Sequence, residues 1–229
     1  MKLLTVSAIV VAFLAATAGV AAQADETIFT ATSANVAEPG GPVKIRIQRW
    51  SAPEQAAPLI AALNPPPPAA RGAGPDGARA GGRGEAAGRA GRAGGRGRGR
   101  GAAPAAPLSP TAALTQAIGR APTIGYLWTS GVTGYAIKYA YRAPLPDGGE
   151  RVILATDRRL GTHTAAWQPT VSDLTDYEFT VIEIRFNAKG VGEGKTSLTT
   201  KVAVDNEAKT VALDNYATAA PILRNVKRS

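Results

Sequence analysis

His163 is the only histidine in the 229-residue chain, and Asp157, Asp173, Asp176 and Glu178 lie near it in sequence. A histidine flanked by a carboxylate and a hydroxyl is the apparatus of nucleophilic hydrolysis. No G-x-S-x-G nucleophile turn accompanies it. Zinc sites built on nitrogen and sulfur need more than one histidine or a cysteine, and the chain has no cysteine. The D-x-D-x-D-G spacing of a calcium loop is also missing around Asp173, Asp176 and Glu178. His163 therefore reads as a surface-loop histidine. A hydrolase built on it is kept as an alternative function, with no metal and no cofactor expected.

Three other patterns invite chemistry. Gly190-Val-Gly-Glu-Gly-Lys-Thr-Ser197 approaches a phosphate-binding loop, but position 189, where that pattern needs glycine, is Lys. The residues that follow are strand-like, whereas a phosphate loop opens a helix, so a Gly-rich loop between two antiparallel strands is expected. Tyr126, Trp128, Tyr135, Tyr139 and Tyr141 recur at alternate positions in two successive segments. On one sheet face they would line a cavity for a small apolar ligand or pack a core. The third pattern is the run RAGRAGGRGRGRG at 89–101, with Arg89, Arg92, Arg96, Arg98 and Arg100. Such repeats bind RNA when stacking groups accompany the charge, and from Ser51 through Gly125 there is no aromatic residue. Specific nucleic-acid binding is not expected; the run reads first as an unselected linker expansion, with contact to a polyanion such as an anionic envelope surface as the alternative.

The elements that must position these residues are mostly strands. Val43–Gln48 alternates apolar and polar residues, and the Thr-rich stretch 28–35 precedes it. Segments 123–129 and 134–142 read as a hairpin with Trp128 opposite Tyr135 and Tyr126 opposite Ile137. Pro146-Asp147-Gly148-Gly149 reads as a two-residue Asp-Gly turn placing Tyr141 opposite Leu154. In 177–187, Phe179 and Val181 fall on one face and Ile182, Ile184 and Phe186 on the other, which predicts a strand buried on both sides. Residues 196–204 and 210–215 form a hairpin through Asn-Glu-Ala-Lys, and 222–228 is expected as a last edge strand.

Two short amphipathic helices interrupt the strands. Ser51-Ala-Pro-Glu54 has capping-box spacing, after which Ala56, Leu59, Ile60 and Leu63 recur at helical intervals until Pro65. Ser109-Pro110 gives a second start; Leu114, Ala117, Ile118 and Ala121 form its face, and Pro122 stops it. Between the helices lies the low-complexity stretch 65–108. Residues 71–101 within it hold 13 of the 26 glycines and eight arginines against two acidic residues. The remaining chain has 18 basic and 15 acidic residues. The basicity thus belongs to one segment rather than to a domain surface, and that segment is expected to be disordered.

At the start, Lys2, an apolar run to Ala22 and Ala22-Gln23-Ala24 have the form of a secretory leader cut after residue 24. No transmembrane segment is expected after that cut. Residues 25–229 then constitute one domain, periplasmic or secreted. The fold class expected is α+β, mainly β: an antiparallel sheet of about eight strands curled into a barrel or a sandwich, with a two-helix insertion after strand 2.

The stretches VKIRIQRW, RVILATDRRL and YEFTVIEIRFNAKGVGEGKTSLTTKV resemble a family of small, secreted bacterial proteins with no assigned activity. The resemblance spans the mature chain except the Gly/Arg insert, and implies one exported domain with a variable loop. It brings no catalytic residue and no cofactor. The function expected first is a non-enzymatic structural or interaction protein of the cell envelope, with a small apolar-ligand binder as the alternative.

Overall fold

The structure is a computed structural model that describes residues 26–65, 108–129, 134–171 and 173–229. The expected leader and the arginines Arg89, Arg92, Arg96, Arg98 and Arg100 lie outside the described residues.

The described residues form ten strands and two α-helices in the order β1 (Thr27–Ser33), β2 (Pro42–Ile47), α1 (Ala57–Leu63), α2 (Pro110–Arg120), β3 (Gly125–Trp128), β4 (Tyr135–Pro144), β5 (Glu150–Thr156), β6 (Thr180–Phe186), β7 (Val191–Thr196), β8 (Val202–Asp205), β9 (Thr210–Leu213) and β10 (Pro221–Arg228). Eight of the strands close into an antiparallel barrel in the order β1-β10-β7-β6-β5-β4-β3-β2, and β8 and β9 form a separate hairpin. Of the two architectures expected, the barrel is the one adopted, and the helices fall after the second strand as the sequence predicts. β10 is not an edge strand. It lies between β1 and β7 and closes the ring. Two register shifts on its β7 side, with Asn225 at φ 52°, break the alternation that would have marked it as a paired strand.

Side chains fill the lumen: Phe29, Ile45, Leu127, Ile137, Leu154 and Ile182 are all fully buried. Phe29 and Phe186 stack at 5.4 Å near the end where β1 begins. Trp167, 3% exposed and carried by the β5–β6 loop, packs at the opposite end. A second core lies outside the barrel wall, where Ile153, Phe179 and Val181 meet Leu59 of α1, Leu114 and Ile118 of α2, and Val211 and Leu213 of β9. β5 and β6 are thus covered on both faces, and the two-sided apolar pattern of 179–186 is the sequence mark of that position.

Local signals account for the helix ends. Ser109 Oγ accepts a hydrogen bond from Ala112 N, and Pro110 occupies the first turn of α2. The first helical segment departs from expectation. A 3-10 turn, Pro53–Gln55, precedes α1, and Gln55 Oε1 accepts from Ala52 N. Ser51 is spent elsewhere: its hydroxyl accepts from Ala140 N, which fastens the entry to the helices onto β4.

β7 is a further correction. Gly190-Val-Gly-Glu-Gly-Lys-Thr is not a loop: Val191–Thr196 is a barrel strand paired with β6 and β10, and the turn lies just before it, with Gly190 at φ 74°. A Cβ on Gly192 would come within 2.8 Å of the Phe186 ring, and one on Gly194 within 3.0 Å of Leu223. These glycines leave lumen space for large neighbours, a structural use that needs no phosphate.

Candidate functional site

The five expected aromatic residues do not share a face. In the β3–β4 pair, Leu127 stands opposite Tyr135 and Tyr126 opposite Ala136, one residue away from the expected register. Such a slip exchanges faces. Tyr126, 38% exposed, and Trp128 lie on the outside with rings 5.5 Å apart, while Tyr135 is buried in the lumen. A bulge then intervenes: Ile137 pairs with Thr156 and Tyr139 with Ala155, so two residues of β4 advance against one of β5. Past Lys138 the outward face changes parity. Tyr139 and Tyr141 therefore turn to the outer core, and Ala140 turns inward.

Two of the five, Tyr139 and Tyr141, help to line a groove of about 460 Å³ on the outside of β4. Its other walls are Trp50 through Pro53, where the chain leaves β2 for the helices, and Ala208 and Lys209 in the β8–β9 turn. Tyr139 is buried, and its hydroxyl lies 2.6 Å from Thr210 Oγ1. Burial raises its pKa, and the Thr210 hydrogen bond opposes that rise. The Arg142 guanidinium sits 4.9 Å from the centre of the Trp50 ring, a cation–π arrangement. The Trp50 indole N–H is buried without a hydrogen-bond partner among the described residues. Lys209 has φ 49°, a left-handed backbone that costs a non-glycine residue about 1 kcal/mol or more. Trp50, Arg142 and Lys209 escape sequence reasoning because they come from three separate segments. The available signal was a lysine closing a tight turn, where glycine or asparagine is favoured.

His163 lies in the β5–β6 loop. Its Nε2 is 2.6 Å from an Arg158 guanidinium nitrogen, which also donates, from its other terminal nitrogen, to the Gly134 carbonyl. A guanidinium can only donate, so Nε2 is the acceptor in this contact. The lone pair a general base would use is thereby engaged. Asp157 lies on the far side of Arg158, where its Oδ1 accepts from Ala136 N. Among the described residues no cluster of three histidine or acidic side chains could hold a metal ion.

The densest charge network was not foreseen as a unit. Glu183, on the outer face of β6, is fully buried. One carboxylate oxygen accepts from Arg185 at 2.8 and 2.9 Å and lies 3.1 Å from Arg151 Nε; the other accepts from Leu213 N at 3.0 Å. Arg151 also pairs with Asp205 at 2.6 Å. Arg185 in turn stacks on Tyr216 at 3.9 Å, and the Tyr216 hydroxyl donates to the Glu193 carbonyl. The β8–β9 hairpin is thus pinned to the barrel by charge as well as by its apolar face.

Burial first, and the Glu193 carboxylate next, push the Tyr216 phenol from 10 up to about 12. The fold therefore favours the protonated phenol. Its stabilisation is complete below pH 10 and is lost as pH rises through about 12. Unfolding free energy should fall across that interval in the native protein, and Tyr216→Phe should flatten the decline; an unchanged slope would reject the assignment.

Comparison of the chain with protein-family models, with curated proteins and with solved structures returned no match.

Proposed function

We propose that this chain is an exported, non-enzymatic protein of the cell envelope, periplasmic or secreted, that acts by contact. The contacts are made through the outside of a solid barrel and through its basic segment. The observation that carries this reading is where the charge lies. Eight arginines fall within residues 71–101, while the rest of the chain is nearly balanced. The two helices it joins pack on the outer core, so both of its attachment points lie on the outside of the barrel. Arginine without stacking groups favours an anionic surface over a base sequence. The engaged lone pair of His163 and the filled lumen support a role without catalysis and without an enclosed ligand.

The experiment is removal of residues 65–108. Retention of the protein on envelope fractions at moderate salt should drop sharply, and the retention of the intact chain should fall steeply as salt is raised. Equal retention of the two proteins overturns the proposal.

A further inference from the structure

We propose that the outer groove bounded by Trp50, Tyr141, Arg142 and Lys209 binds a small organic anion. The ligand is a flat or ring-bearing body carrying one carboxylate, sulfonate or phosphate group. This inference goes beyond the envelope reading and does not depend on residues 65–108.

Three observations converge on it. The groove, about 460 Å³, has the size of small-molecule sites, and its floor is aromatic. Two cations from different elements, Arg142 on β4 and Lys209 in the β8–β9 turn, line it, and no carboxylate does. Neither cation is in an ion pair among the described residues. Finally, Lys209 holds a left-handed backbone at φ 49°, where glycine would relieve the strain.

Each feature alone has a local explanation, since Arg142 stacks on Trp50 and Lys209 closes a turn. Their meeting around one apolar hollow matches a ligand with a greasy plane and a negative group. The comparable groove between α1 and α2 is lined largely by alanine and proline, with Arg120 its single cation, and lacks this pairing.

The test uses the full chain and two probes, anilinonaphthalene sulfonate and its neutral parent phenylnaphthylamine. Binding is read as energy transfer from tryptophan, with Trp50→Phe identifying the share that comes from the groove. The sulfonate should bind saturably, and the neutral probe should bind about tenfold more weakly. Lys209→Gly and Arg142→Gln should each weaken the sulfonate by about tenfold. Lys209→Gly should keep or raise Tm, because glycine suits that backbone, so its weaker binding is not unfolding. The proposal is overturned if both probes bind equally, if Lys209→Gly binds as the native chain does, or if energy transfer persists undiminished in Trp50→Phe.

Discussion

Glu183→Gln is expected to destabilise the fold by about 3 kcal/mol, measured as a lower urea midpoint with an unchanged slope. The carboxylate is fully buried and serves Arg185, Arg151 and the Leu213 amide at once. Glutamine keeps the shape but removes the charge, and it turns an amide NH₂ toward one of these donors. Arg185, 43% exposed, can move its charge into water, whereas Arg151, 12% exposed, is left with Asp205 alone. The cost arises from that stranded guanidinium. The double replacement Glu183→Leu with Arg151→Met should therefore recover most of the loss, as buried pairs exchanged for apolar groups commonly do. Amide exchange should locate the damage: β8 and β9 should lose protection before the barrel strands do. A loss for Glu183→Gln under about 1 kcal/mol would mean that the network adds little beyond the apolar docking of the hairpin.

Gly192→Val should cost about 2 kcal/mol through overpacking. The new Cβ alone would stand 2.8 Å from the Phe186 ring and 3.1 Å from Ile184. Phe186 cannot retreat freely, because it stacks on Phe29. Pairing Gly192→Ala with Phe186→Leu should leave stability near that of the native chain, since volume is then exchanged rather than added. A nucleoside triphosphate should leave Tm unmoved. A Gly192→Val variant as stable as the native protein would reject the overpacking argument, and only a strong Tm rise with nucleotide would return this segment to a phosphate-loop reading.

How much of this was legible depends on parity. The two-sided strand β6 could be read because no bulge interrupts 180–186, so Val181 faces the outer core while Ile182, Ile184 and Phe186 face the lumen. The β8–β9 register, Val202 with Leu213 and Val204 with Val211, was also open to reading, since a four-residue turn separates the strands. The aromatic row was not, because single-residue irregularities leave no compositional trace. At 145–149, Leu145 N donates to the Gly149 carbonyl and Gly148 N to the Leu145 carbonyl, with Gly148 at φ 77°. That is a three-residue connection, Pro146-Asp147-Gly148, in place of the expected two-residue turn. It sets Tyr141 opposite Ile153 rather than Leu154. The bulge past Ile137 then redistributes Tyr139 and Tyr141. The groove was invisible for another reason: its walls are 50, 139–142 and 208–209, brought together only by closure of the barrel and docking of the hairpin.

The seam between β1 and β10 sets an order of events. Phe29 pairs with Arg228, and Ser229 N donates to the Ile28 carbonyl, so the cylinder closes by joining the first of the described strands to the last of them. A polypeptide emerging amino end first must hold β1 half-paired, with one flank bare, while everything between is threaded out. Bare flanks recruit other strands. The hazard is concentrated in the moments before the circle is complete.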